Sequence, residues 1–586
     1  MKATILAFTI GSALSLLGAN PPRDLYVSIN GTMFDRYGNL IAAPTDLGEV
    51  VRQSSTGDTI WIEDGYVWEG VMENVPTSGT CYCRNAIATS QGITIRSVSG
   101  TYDEANKLGV TIKGQWAEPG VQPYGENAVR CFRTTGNATL MGLIFEGGAT
   151  ANSNEYRGGG AAYFNSNGKM INCLMRNCKS CWGGAVRGAG TVLINCVITN
   201  CSATASGGAA WNANLYDCFC KDNTANIGGA FLGNNLTISN CVFIANVAGQ
   251  YSASGGGGAI KGDGLSIIDC AFTNNETRSD GGAVCGQAQS VVHCTFSGNR
   301  AIGDTERGSG GALSGNSATL VTDSLFVDNF SSNNYVSGGG GALYGATAVR
   351  CVFRNNTIFG NGGAASRAVL TDCLIDGNTT AYALTKDSKQ SSSSCMGGGL
   401  HGCTATNCTI INNTVVKNHN WTGRGGGAYN CDLVYCTISN NVAKGVGGGC
   451  FQPDETRTIE RCLFVGNTGG SGNDTTTGPA GGVSGVSGKE PTLVHCTLTD
   501  NAGRGVYNVK LEDCISWGNG EDDANIVSAV RSCSSVLTDE MGEGNVTENP
   551  KLRTKPVGYV YWPANPKCYN MGRYDAYAIG LMLLLR

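Results

Sequence analysis

Between residues 173 and 520 the hydrophobic positions come in pairs two apart, each pair framed by polar residues. Cys241 and Phe243 sit in NCVFIAN, Cys270 and Phe272 in DCAFTNN, and Cys294 and Phe296 in HCTFSGN. In C-x-Φ-x-x-N, positions one and three share one face of a strand and their neighbours face the other way. Each copy therefore predicts a short strand with one buried face. The copies are anchored at Cys173, Cys196, Cys218, Cys241, Cys270, Cys294, Ser324, Cys351, Cys373, Cys408, Cys436, Cys462, Cys496 and Cys514. Position three is Phe at 243, 272, 296, 326, 353 and 464, and another apolar residue elsewhere except Ser516. Position six is Asn from Asn223 to Asn519, while Cys178 and Cys201 take that place in the first two copies.

A glycine pair precedes each copy, mostly as GGA, for example at Gly257, Gly281, Gly310, Gly340 and Gly426. From the residue after the pair to the next Cys is always 8 to 13 residues, whereas copies are 18 to 35 residues apart. The length variation thus lies between the Asn and the next glycines. One half-buried strand cannot bury its face alone, so the copies must stack. No helix-sized amphipathic segment separates them, and strands repeating in one sense build a parallel coil. The expected fold is all-β, a right-handed parallel β-helix of about 18–20 coils and about 90 Å. The Cys side chains should form one interior line, with Ser324 as one rung. The Asn side chains should form a second line at a corner, amide bonded to amide.

The pairing of GGA[ILV] with FxxN, clearest in Gly257-Gly258-Ala259-Ile260 and Phe272-Thr273-Asn274-Asn275, resembles the repeats of the chlamydial polymorphic outer membrane proteins. The resemblance spans roughly residues 158 to 520 and implies a secreted or surface-displayed β-helix used in adhesion. Those proteins end in a membrane β-barrel; no comparable stretch follows Asn519, so self-anchoring is not expected. Upstream, Leu25 to Ile29, Gly57 to Ile62 and a helix over Asp46–Ser54 look like the opening of pectin-lyase-like β-helices. Strands at Ile93–Ile95, Val110–Ile112 and Leu140–Phe145 continue it. The tail from Asn545 to Gly572 resembles the closing segment of secreted bacterial β-helix proteins. At the start, Met1-Lys2, an apolar run from Ala3 to Leu17 and Gly18-Ala19 have the layout of a signal peptide cleaved near Ala19. No stretch reaches the length of a spanning helix. The expected organisation is a signal peptide over 1–19, a cap and first coils over 20–150, the repeats over 151–520 and a closing segment over 521–586. The expected location is outside a bacterium, secreted or on its surface.

Composition narrows the function. Charged residues are 15% of the chain and the net charge is -5, which excludes a basic nucleic-acid binder. The repeat cysteines, among 27 in all, read as a line of reduced small hydrophobes, not as disulfides or a zinc site. Cys403 and Cys431, at equal offsets from their glycines, are the better candidates for a bridge. The four histidines read as surface residues, His293 and His495 pointing outward from strands. Asp522-Asp523 reads as a solvated acidic loop. Catalytic, cofactor and metal sites are expected to be absent, because no acidic residues recur at matching positions on adjacent coils. The favoured function is an adhesin-like scaffold, a monomer binding a glycan or host-surface protein through inserted loops. The alternative is a polysaccharide lyase or glycoside hydrolase. Two inserts leave the same corner one coil apart and carry the candidate contacts, Tyr382, Lys386 and Lys389 in one, Lys417, His419, Trp421 and Arg424 in the other. Aromatic and basic groups together suit an acidic partner.

Overall fold

The three-residue strand of each C-x-Φ-x-x-N copy is held between two left-handed corners. Asp269 (φ 53°) and Asn274 (φ 54°) flank Ala271–Thr273, and Asp323 (φ 50°) and Asp328 (φ 55°) flank Leu325–Val327. Asn and Asp tolerate this conformation because their short polar side chains bond locally. Their abundance before the Cys and before the Asn is therefore conformational in origin. Arg350, Tyr435, His293 and His495 occupy the same corner with positive φ, at a cost of about 1 kcal/mol each. His293 and His495 are thus corner residues, not the outward-facing strand residues that alternation predicts. The corner side chains pair along the stack: Arg350 with Asp323 at 2.6 Å and Arg531 with Asp513 at 2.7 Å.

The computed structural model describes residues 22–573 apart from 36–39, 43–46, 78–80, 119–126, 151–157, 166, 250–254, 288, 304–307, 333–338, 382–394, 417–422, 471–479 and 555–560. The chain forms two compact units, Met1–Asn223 and Thr224–Arg586. In the second unit a coil consists of four short strands, for example Ile260–Lys261, Ser266–Ile268, Ala271–Thr273 and Glu276–Thr277. Each pairs in parallel with its counterpart one coil on: Ile260 with Val284, Ile267 with Val291, Phe272 with Phe296, and Glu276 with Arg300. The result is the right-handed parallel β-helix that the repeats predict, the hand parallel crossovers take.

The first unit opens with Asp24–Val27, which pairs antiparallel with Met33–Asp35 and in parallel with Thr59–Ile62. The helix Leu47–Gln53 buries Leu47, Val50 and Val51. Coils then stack through Thr94–Ser97, Thr139–Met141 and Lys169–Ile171. A hairpin not expected from the sequence, Glu73–Thr77 with Cys81–Thr89, joins this stack through Val129–Thr134.

Three lines fill the interior of the second unit. Phe243, Phe272, Phe296, Phe326 and Phe353 stack at 5.1, 4.8, 4.7 and 4.8 Å, all fully buried. Beside them runs the amide line. Asn275 Nδ2 donates to Asn299 Oδ1 at 3.0 Å and to the Phe243 carbonyl at 3.0 Å, and the Asn275 backbone N–H also reaches Asn299 Oδ1. The pattern runs on through Asn329, Asn356, Asn378, Asn413, Asn441, Asn467, Asn501 and Asn519.

The third line is the thiols. Cys270 Sγ donates to the carbonyl of Ile268 at 3.1 Å, and the Cys241 N–H donates to Cys270 Sγ at 3.4 Å. Ser324 makes both bonds with its hydroxyl, to Thr322 O at 2.8 Å and from Cys294 N at 3.0 Å. Ser532 adds a rung that the repeat pattern missed, accepting from Cys514 N at 3.1 Å. All described cysteine side chains are reduced and buried. Cys403 and Cys431 form a separate thiol line, joined by a bond from Cys403 N to Cys431 Sγ at 3.4 Å and not by a disulfide.

The glycine pair is dictated by contact. Gly281 has φ +69°, and a Cβ on Gly282 would lie 1.8 Å from the carbonyl oxygen of Gly311 on the next coil. The tail closes the last coil, with Cys568 and Met571 packed on Ile515, Cys533 and Val546. Among the described residues no helix is long and apolar enough to cross a membrane.

Candidate functional site

After the glycine pairs from Gly228 to Gly448 the chain makes a two- or three-residue strand whose first side chain is buried and whose second takes the opposite face. Parallel register lines up the outward residues along the axis: Tyr344 with Ser366, Ser366 with His401, His401 with Tyr429, and Tyr429 with Phe451. The rings of His401 and Tyr429 stack at 5.5 Å and 12°, those of Tyr429 and Phe451 at 5.6 Å and 12°. Ring faces are thereby spent on neighbouring coils; His401 and Tyr429 stay half-buried, and Phe451 at the end of the stack is fully buried. The wall consequently offers hydrogen-bonding edges, the Tyr429 hydroxyl and one imidazole nitrogen, and not a flat stacking platform.

Arginines surround this column. Arg424 places its guanidinium 5.0 Å from the centre of Phe451, which is fully buried. Exposed Arg367 donates to the Tyr344 hydroxyl at 3.3 Å. Arg457 pairs with Asp432 at 2.7 Å. Ser366 Oγ lies 3.2 Å from His401 Nδ1. Burial, reinforced by the positive charges of Arg367 and Arg457, pushes the His401 imidazole down to about 4, so it is neutral at pH 7. Burial pushes the Tyr429 phenol up, and Arg424 opposes that shift. Three guanidinium groups against Asp432 and Asp454 leave the patch with a net positive charge in an acidic chain.

Of the seven candidate contacts read from the sequence, only Arg424 is described. Tyr382, Lys386, Lys389, Lys417, His419 and Trp421 lie outside the described residues. The roots of the two inserts do adjoin. Thr379 pairs with Thr414 and Thr380 with Val415 where they leave, and Met396 bridges Arg424 where they return. Tyr429 and Phe451 escaped the sequence reading, which followed interior lines, and His401 was read there only as a surface residue. Their signal is the outward position in GGLH, GGAY and GGCF. His401 is not loose surface decoration but a half-buried member of a stack.

The acidic loop also differs from expectation. A cavity of about 220 Å³ is lined by Trp517, Glu521, Asp522 and Asp523 among others. Asp522 is exposed, but Asp523 is only 8% exposed, because its carboxylate closes the coil beneath it. It accepts from Val506 N at 3.0 Å and from Ser534 Oγ at 2.6 Å. Burial raises its pKa against these bonds. Asp522 accepts from Ser535 Oγ at 3.0 Å and Glu521 pairs with Arg504 at 3.3 Å, so all three carboxylates are engaged. Among the described residues no three His, Cys, Asp or Glu side chains gather as a metal site would require.

No family model matches the chain, and no curated protein does. Among solved structures it is similar to pectate lyase Pel9A, at 14% identity over 66% of this chain and 76% of that one, TM-score 0.23. It is similar to a mutant tailspike protein of E. coli bacteriophage HK620 in complex with a pentasaccharide, at 12% identity over 75% and 76%, TM-score 0.26. The PL6 family alginate lyase AlyGC is 11% identical over 95% of this chain and 57% of its own length, TM-score 0.22. At such scores these likenesses carry no argument about this chain; its fold rests on the strand registers above.

Proposed function

We propose that the protein is a secreted or surface-displayed scaffold that binds glycans along one wall of its β-helix, in an adhesin-like role. The observation that supports this is the outward column of Tyr344, His401 and Tyr429 with Arg367, Arg424 and Arg457 around it. Ring edges that donate and accept, beside charged forks that donate only, suit hydroxyl-rich and anionic sugars. The inserts that return beside Arg424 add their own aromatic and basic side chains to the same wall in this reading. Export rests on the Met1 to Ala19 pattern.

A glycan panel scored for both binding and cleavage tests the proposal. Binding without cleavage is expected, weakened at least fivefold by Arg367→Ala and by Tyr429→Phe, which keeps the ring stack and removes the hydroxyl. Unchanged affinity in both variants would move the interface elsewhere, and cleavage of a bound glycan would replace the scaffold with an enzyme.

A further inference from the structure

Arg187 in the first unit sits in a different setting from any arginine of the wall described above. Its strand register places it between Tyr163 and Trp211 on the outward column. Its guanidinium lies 5.4 Å from the ring centre of Tyr163, 5.0 Å from that of Trp211 and 5.0 Å from that of Trp182. Trp182 reaches it from the residue before the glycine pair. Gly158 lets the backbone close over the arginine stem, since a Cβ there would lie 1.9 Å from Arg187 Cδ. Nη1 is buried, and among the described residues it has no hydrogen-bond partner. Nor does any described carboxylate pair with Arg187; the charged-state neighbours it feels are Tyr163 and Cys181.

This arrangement is costly unless something completes it. A guanidinium held among three aromatic rings loses hydration, and an unmatched buried donor adds to that cost. The N–H donors of a guanidinium lie in its plane, where a two-oxygen acceptor binds in parallel bonds. The low-polarity surroundings strengthen such bonds. Trp182 and Trp211, both half-buried, supply apolar surface beside the guanidinium. An anion attached directly to a pyranose meets both at once, the oxygens on Arg187 and the ring carbons on the tryptophans. An acidic peptide side chain carries its charge on a flexible arm and brings no such rigid face.

We propose that Arg187, with Tyr163, Trp182 and Trp211, is a receptor for one oxoanion borne on a sugar ring, a carboxylate or a sulfate. The proposal rests on the glycan-binding reading but names a separate site in the other unit.

The test uses the full chain, calorimetry and tryptophan fluorescence, with cellotetraose, its C6-oxidised uronate form, its sulfate ester and a tetraglutamate peptide as probes. At least one anionic sugar should bind, perturb the tryptophan emission and exceed neutral cellotetraose at least tenfold. Arg187→Ala should lower that affinity at least tenfold. Arg187→Lys, which keeps the charge and loses the fork, should recover only part of it, with thermal unfolding of both variants near wild type. If Arg187→Ala unfolds, the Lys variant alone decides. Wild-type affinity in the folded variants, equal binding of tetraglutamate, or no binding of either anionic sugar would overturn the proposal. Loss of binding in Arg367→Ala with Arg187→Ala unaffected would overturn this site and leave the glycan reading standing. A wild-type protein that binds no sugar on the broad panel would end both.

Discussion

Asn329 makes four hydrogen bonds that no other side chain of its size can combine. Its Oδ1 accepts from the backbone N–H and the Nδ2 of Asn299, both at 3.0 Å. Its Nδ2 donates to the Phe296 carbonyl at 3.0 Å and to Asn356 Oδ1 at 2.9 Å. Replacement by Leu fills the space but strands two donors and the Phe296 carbonyl on the preceding coil and the Asn356 amide oxygen on the next, each orphan worth about 1–3 kcal/mol. Asn329→Leu should therefore lower stability by about 3 kcal/mol or more, read as a fall in the urea midpoint. Ser324→Cys restores the commoner rung and should change stability by less than about 0.5 kcal/mol. His401 makes a prediction in pH. Its folded pKa lies near 4, below the usual 6.5. Above pH 6.5 the ring is neutral folded or unfolded, and nothing is lost. As pH falls from 6.5 towards 4 the unfolded chain takes up a proton that the folded one refuses, so stability drops. A shift from 6.5 to about 4 sets an upper bound of about 3 kcal/mol on the loss. His401→Gln should flatten that part of the stability–pH curve, and an unchanged slope would place the titration elsewhere.

At the level of strands, legibility followed burial. The interior lines of Cys, Phe and Asn were readable because period two, joined to a recurring polar amide, fits stacked half-buried strands and hardly any other architecture. The left-handed corners were not, since a polar residue beside a Cys fits an outward strand position equally well; only backbone angles separate His293 in a corner from His293 in a strand. The outward column was hidden for another reason. Its members are single residues 22 to 35 positions apart, and only register shows that His401, Tyr429 and Phe451 touch. Asp523 was misread because its acidic neighbours suggested solvent, whereas Val506 and Ser534 draw it inward. The strand stack also governs the thiols. Burial pushes Cys450 up to about 12 and Cys395 up to about 11, so neither is nucleophilic in the folded chain. Every described cysteine is buried, so native protein should react slowly with a thiol reagent. After denaturation without reductant, more than half of the 27 cysteines should react. A count near one would mean that the lines are oxidised.

For the molecule as a whole, a net charge of -5 conceals a local basic wall, and the question is whether the inserts beside it serve binding or folding. The structure sets where that question can be asked. Thr379–Ala381 is a strand paired on both sides, and Thr380 Oγ1 donates to Gly397 O at 2.7 Å, so an excision must begin after Ala381. Cys395 is buried and Met396 bridges Asn361 and Arg424, so it must end before Cys395. Removing residues 382–394 and joining the ends with two glycines shortens only a connection, and loop length contributes to stability weakly, roughly 0.6 kcal/mol per doubling. Thermal unfolding should stay within about 2 °C of wild type. Glycan affinity should fall at least threefold, because Tyr382, Lys386 and Lys389 leave with the segment while Arg367, Arg424 and Tyr429 remain. Combining the excision with Trp421→Ala should weaken binding further without lowering the unfolding temperature. If stability collapses and affinity holds, the insert braces the coil, and the binding surface is the bare wall alone.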